Sequence, residues 1–161
     1  MKKLSILLFL LLVSSTLFYI EFKDITGNIV ADDPESGIVT KIIDGDTLVG
    51  NGEHVRLLGM DTDERGEPCY KEAKEKLASL VLNKEVILEP DITDKDQYKR
   101  LLRYVFVETD SGVIHVNVYL VSEGLAIARF YEDRKYQDEI LAAEVYAREN
   151  KIGCKWTISS D

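Results

Sequence analysis

Side chains that could act together on a phosphate gather in two stretches of this chain. Asp44 to Glu64 reads DGDTLVGNGEHVRLLGMDTDE, and Asp96 to Val107 reads DQYKRLLRYVFV. In the first, Asp46 closes a tight turn, Arg56 stands inside the run VRLLGM, and Asp61, Thr62 and Glu64 follow where that run stops. In the second, Arg100 stands at the mouth of another apolar run. A hard cation such as Ca2+ takes carboxylate, carbonyl and water oxygens. Asp46, Asp61 and the Thr62 carbonyl are therefore the candidate metal ligands. Glu64 is the candidate general base, since phosphodiester hydrolysis needs a water aimed at phosphorus. A charge within an apolar strand needs a partner or a cleft. The guanidinium forks of Arg56 and Arg100 would match phosphate oxygens and stabilise charge growing there. Plainer readings exist for each: an ordinary Asp-Gly turn, a solvated loop acid, and arginines in structural ion pairs. His54 and His115 have no spacing for a triad or a zinc site and are read as structural.

The elements that must position these groups follow from periodicity. GIVTKIID (Gly37 to Asp44) and TLVG flank the DGD turn as a hairpin. Asn51-Gly52, the strongest turn dipeptide, leads into a third strand, EHVRLLGM, completing a meander. Pro68 suits the first turn of a helix from about Cys69 to Leu82, with Ala73, Leu77, Leu80 and Val81 on one face. EVILEP is a fourth strand, and LLRYVFVET and VIHVNVY flank Asp110-Ser111-Gly112 as a further hairpin. A short helix around Tyr119 to Ser122 ends at Gly124, and an amphipathic helix runs from Asp133 to Asn150. Consecutive antiparallel strands with an inserted helix predict a mainly β, α+β fold, a small closed barrel of the oligonucleotide-binding type, with an α+β sandwich as the fallback.

The 161 residues hold one domain once a leader is set aside. Lys2 and Lys3 precede an apolar run from Leu4 to Ile20, the pattern of a signal peptide. The run also approaches the ~20 residues that span a bilayer. Residues 1–31 therefore read as a leader, either cut near Gly27 or Ala31 or kept as an N-terminal membrane anchor. Either outcome places the domain outside the cell, secreted or held on the outer face of the membrane; a cytoplasmic protein with an apolar tail is the alternative. Residues 32–36 continue a linker, the domain spans 37–156, and 157–161 form a tail. Without residues 1–31 the chain keeps 17 basic against 27 acidic groups. Such a balance excludes a general basic footprint for a polyanion, so phosphate binding must be local and helped by a bound dication. Cys69 and Cys154 cannot make a zinc site alone. In an exported domain an even count suggests a disulfide, with two buried thiols the alternative.

DGDT, VRLLGMDTDE, DQYKRLLRYVFV, VNVYLVSEGLA and a C-terminal helix closing on Lys155-Trp156 occur in order and at suitable spacing. In this series the chain resembles the staphylococcal nuclease (thermonuclease) family over roughly Gly37 to Trp156. The resemblance implies a five-stranded oligonucleotide-binding barrel with three α-helices. It implies a Ca2+-dependent endonuclease hydrolysing DNA and RNA, single-stranded or denatured strands favoured, to 3′-phosphate products. By matching position, Asp46, Asp61 and Thr62 would bind calcium, Arg56 and Arg100 would contact the scissile phosphate, and Glu64 would be the base. Tyr98 would line the nucleotide site. The protein would act as a monomer, with no protein partner implied. Asp63 stands where the family usually has proline, which would loosen the loop that aims Glu64. Lys99 replaces a glycine and would strain its turn if φ is positive there. RFYED (Arg129 to Asp133) matches the family's nucleotide-stacking segment only loosely, and no substrate contact is assigned to it. By the same matching, Cys69 and Cys154 come close enough to form a disulfide. The competing readings are a catalytically idle barrel that binds oligonucleotide or protein, and an exported calcium-binding adhesion module. The second leaves the arginines unexplained.

Overall fold

The computed structural model describes residues 35–157. The leader or anchor expected over residues 1–31 lies outside the described residues, as do residues 158–161 of the tail. The first strand, β1 (Glu35–Ile42), begins inside the stretch read as linker, with Glu35 already paired to Leu88. It is followed by β2 (Thr47–Gly50) and β3 (Glu53–Leu57). Asn51 and Gly52 both take positive φ, 50° and 83°, as a two-residue hairpin turn requires. The Asn51 side chain then ties the turn to β1, accepting from Ile38 N–H at 3.1 Å and donating to Ser36 O at 2.8 Å.

The expected third strand through Met60 is broken in two. Gly59 lies at φ 72°, and a Cβ there would meet Ile140 Cδ1 at 2.6 Å. The chain turns at Leu58-Gly59, and Met60–Asp61 forms a separate short strand, β4. Its partner is β8 (Ile127–Ala128), with Asp61 opposite Ile127. Helix α1 (Tyr70–Val81) buries Ala73, Leu77 and Val81 at four-residue intervals, and β5 (Glu85–Glu89) follows. β6 (Leu101–Thr109) matches its expected run, but β7 (Gly112–His115) is shorter than VIHVNVY. Helix α2 (Val116–Ser122) starts inside that run. The β-branched alternation favours a strand locally, but fully buried Asn117 reverses it: it accepts from Val105 N–H at 2.9 Å and donates to Leu58 O at 2.8 Å. Those bonds anchor α2 across β6.

Helix α3 (Gln137–Glu149) starts four residues later than expected, because buried Asp133 accepts from Thr93 N–H at 2.8 Å instead of entering a helix. A fourth helix, α4 (Gly153–Thr157), adds to the three expected.

β6 closes the barrel by serving several neighbours. Its start runs parallel to β3, with Val55 opposite Leu101 and Leu57 opposite Arg103. Its later part pairs antiparallel with β5, and its end with β7. β1 pairs with β5 through its first half and β2 through its second, with a register irregularity between Val39 and Lys41 at the changeover. The pairings therefore run β1, β2, β3, β6, β5 and back to β1. This is a closed five-stranded barrel with helices outside it, the oligonucleotide-binding type of α+β fold. Val39, Leu48, Val55, Leu57, Val86, Leu88, Val105 and Val107 fill it, each at most 1% exposed. Burying each such side chain contributes about 1.5–3 kcal/mol.

Candidate active site

The site is built where the DGD turn, the end of β3, β4 and the start of β6 meet. Asp44 is a turn residue, as its position suggests: its Oδ1 accepts from Asp46 N–H at 3.1 Å. Gly45 lets α1 and the following loop come close, since a Cβ there would meet Ala73 Cβ at 2.7 Å and Thr62 Oγ1 at 2.8 Å. Asp46 is thereby pressed against Thr62. Its Oδ2 accepts from Thr62 N–H at 3.1 Å and from Thr62 Oγ1 at 3.0 Å, while Oδ1 accepts from Thr47 Oγ1 at 3.0 Å.

Arg56 joins the two aspartates. Its Nη1 lies 2.8 Å from Asp46 Oδ2 and its Nη2 donates to Asp61 Oδ1 at 2.6 Å. Burial pushes the Asp46 carboxyl above its ordinary range, and the Arg56 charge pulls the other way. The charge in the apolar strand has therefore found acids, as the plainer reading required. It also lines an open cleft of about 590 Å³ with Met60, Asp96, Tyr98, Arg100 and Arg129. Two of its lining arginines, Arg56 and Arg129, are the groups that pair with Asp46 and Asp61.

The parallel pairing of β3 with β6 places Arg56 opposite Leu102, so the two strand mouths carrying Arg56 and Arg100 adjoin. Arg100 is aimed by Asp96, which receives Arg100 Nε at 2.7 Å and Nη2 at 2.7 Å. Arg100 Nη1 reaches Thr47 Oγ1 at 3.4 Å, next to Asp46. Tyr98 is 71% exposed at the cleft, with the Arg100 guanidinium 5.5 Å from its ring centre. Lys99 has φ 65°, the glycine-favouring conformation its substitution raised. Asp46, Arg56, Asp61, Thr62, Arg100 and Tyr98 are thus brought together.

Glu64 is set apart. It stands on the exposed loop before α1, its N–H donating to Glu67 Oε2 at 2.7 Å, and its carboxylate has no ion pair among the described residues. Asp63 does not loosen this loop. It accepts from Cys69 N–H at 2.9 Å and pairs with Lys155 of α4. Burial would raise the Asp63 carboxyl, but the bonds from Lys155 and Cys69 outweigh it and hold the group below its usual range. Beside this tie, Cys69 and Cys154 form the expected disulfide, Cα atoms 5.6 Å apart.

Two contributors escaped the sequence reading: Lys155, in a terminal helix with no visible tie to the loop, and Arg129. Arg129 Nη1 donates to Asp61 Oδ2 at 2.6 Å. It is placed by the two-residue pairing of β8 with β4, too short to announce itself. RFYED following an apolar run was the only signal.

Residues 54–157 match the family described as "Staphylococcal nuclease homologue". The chain is 36% identical over 124 residues to a protein named thermonuclease from Staphylococcus hyicus, covering 70% of this chain and 71% of that one. It is 37% identical over 129 residues to a thermonuclease from Staphylococcus intermedius, covering 73% and 74%. A protein named micrococcal nuclease from Shigella flexneri is 30% identical over 128 residues, covering 73% and 71%. With a closed barrel whose strand mouths bring paired aspartates against arginines, and with these matches over most of its length, the chain belongs to the staphylococcal nuclease homologue family.

Proposed function

We propose that this protein is a calcium-dependent nuclease that hydrolyses phosphodiester bonds of DNA and RNA, exported from the cell or held on its outer face. The observation that carries the reading is the meeting of Asp46, Asp61, Arg56 and Arg100 at one end of the barrel. Relatives named thermonuclease and micrococcal nuclease support it.

The donor chemistry fits a hard cation. Asp46 and Asp61 offer carboxylate oxygens near enough for one guanidinium to bridge, and such hard oxygen donors are what Ca2+ takes. Asp46, Asp61 and the Thr62 carbonyl would hold Ca2+, with water completing the shell. When bound, the ion supplies positive charge that polarises a phosphoryl oxygen. The chain's own groups do the rest. Arg56 and Arg100 would hold the phosphate by its non-bridging oxygens and stabilise the charge that builds there. Asp96 keeps the Arg100 fork oriented, which lowers the cost of organising it at the moment of reaction. Glu64 would take the proton from the attacking water at a free carboxylate oxygen. The water oxygen then bonds to phosphorus as the bond to the 5′ oxygen breaks. The 5′ oxygen leaves as a hydroxyl with a proton from solvent, giving a 3′-phosphate. Tyr98, exposed beside Arg100, is a surface on which a base or sugar could rest.

Incubation of the purified full chain with denatured DNA should give 3′-phosphate fragments with calcium and none with chelator. Folded protein that leaves the DNA intact with calcium overturns the nuclease reading. An oligonucleotide bound without cleavage would instead favour the idle binding module.

A further inference from the structure

Asp61 is held by two arginines, and one of them has no role in the mechanism above. Its Oδ1 receives Arg56 at 2.6 Å and its Oδ2 receives Arg129 at 2.6 Å. The two guanidiniums differ in their freedom. The Arg56 side chain is 16% exposed and also serves Asp46, whereas the Arg129 side chain is 53% exposed and has Asp61 as its ion-pair partner. Arg129 N–H donates to Gly59 O at 2.9 Å, so the backbone beneath the exposed side chain is held in place. The side chain itself lines the same cleft as Arg56 and Arg100.

An exposed ion pair of this kind is weak, and Arg129 is therefore easily detached. A dication at Asp61 would compete for the same oxygen and repel the guanidinium. The freed fork would stand at the rim of an arginine-lined cleft, where a phosphate is its best remaining acceptor. We propose that Arg129 is a third substrate-binding arginine of the site: it occupies Asp61 in the metal-free protein and passes to a phosphate of the nucleic-acid strand once calcium takes Asp61. The inference rests on the calcium-dependent nuclease reading. Its consequence is a pair of effects of opposite sign. Removing Arg129 relieves competition for Asp61 and so tightens calcium binding, yet removes a strand contact and so weakens nucleic-acid binding.

The test uses the full chain. Calcium is titrated by calorimetry into wild type, Arg129→Ala and Arg129→Gln without nucleic acid. Binding of a single-stranded oligodeoxynucleotide is then measured with calcium at several salt concentrations, in a Glu64→Gln background that keeps the strand intact. The expected result is calcium binding about two- to fivefold tighter in both variants, the scale of one exposed ion pair. Oligonucleotide binding should weaken, with the slope of log K against log salt shallower by about 0.7, one phosphate contact to a single strand. Arg129→Lys, which keeps the charge, should restore the slope. A merely structural Arg129 would weaken both affinities together with the melting temperature, and that overturns the proposal. Wild type that binds calcium beside variants of unchanged affinity, or an unchanged salt slope, overturns it alone. Wild type and variants that all fail to bind calcium would overturn the calcium reading and this inference together.

Discussion

Lys99 and Arg100 are neighbours under opposite demands. Asp96 organises both: its Oδ1 accepts from Tyr98 N–H at 2.9 Å and Arg100 N–H at 3.0 Å, and its carbonyl accepts from Lys99 N–H at 3.0 Å. Closing this turn forces Lys99 to φ 65°. An L-residue in that region costs about 1–2 kcal/mol, while glycine carries an entropic cost of about 0.5–1 kcal/mol of its own. Lys99→Gly should therefore stabilise the fold by about 0.5–1 kcal/mol in urea unfolding. A destabilised variant would mean that the lysine side chain contributes more than its backbone costs. Arg100 carries the opposite weighting, function over stability. Arg100→Ala should lower kcat on denatured DNA by about 10²–10³, the effect of losing one donor to developing charge. A loss below about fivefold would remove it from the reacting phosphate. Both positions were legible in DQYKR: Arg100 as a charge preceding an apolar strand, and Lys99 through the family resemblance, which expects glycine there. Arg129 was not, since nothing local distinguishes it from a solvated surface arginine.

At the scale of elements, periodic segments were legible and tertiary overrides were not. The alternation of LLRYVFVET and the four-residue spacing of Ala73, Leu77 and Val81 give β6 and α1 directly, because burial on one face is what such patterns encode. Gly59, Asn117 and Asp133 moved element boundaries through contacts 12 to 81 residues away, to Ile140, Val105, Leu58 and Thr93, which no local window contains. The tie between α4 and the Glu64 loop has the same origin. Asp63 and Lys155 are 92 residues apart, and their side chains are 14% and 16% exposed. The pair, with the neighbouring disulfide, fixes the loop that a proline would have stiffened. Lys155→Ala should then lower kcat roughly 10–10²-fold through misplacement of Glu64, with KM nearly unchanged. Lys155→Arg should recover most of the rate. A fall in melting temperature with kcat within about twofold of wild type would show the tie to be structural only.

Across the whole molecule, closure of the barrel through β3 and β6 makes one site from two sequence stretches, and the end of β7, paired to the later part of β6, carries a titration of its own. His115 was read as structural from spacing alone, and its surroundings explain why. Its ring stacks on Phe106 with centres 4.4 Å apart and meets Tyr136 edge-on at 4.6 Å. Neither ring nitrogen has a hydrogen-bond partner among the described residues, and the Glu139 carboxylate is 3.9 Å from Nδ1. Burial pushes the imidazole down to about 4 from 6.5, against the pull of Glu89. The folded protein therefore refuses a proton that the unfolded chain accepts. This stability is fully present above about 6.5 and is lost as pH falls from there toward 4. The raised Asp46 carboxyl acts in the opposite sense, since a group that binds its proton more tightly when folded gains stability as pH falls. Wild type alone would mix the two. The difference between wild type and His115→Phe isolates the imidazole: in urea unfolding at intervals from pH 7.5 to pH 4, the stability of wild type minus that of the variant should fall as pH falls, the wild type losing stability that the variant keeps. Two curves running parallel through that window would place the acid-sensitive proton uptake elsewhere than His115.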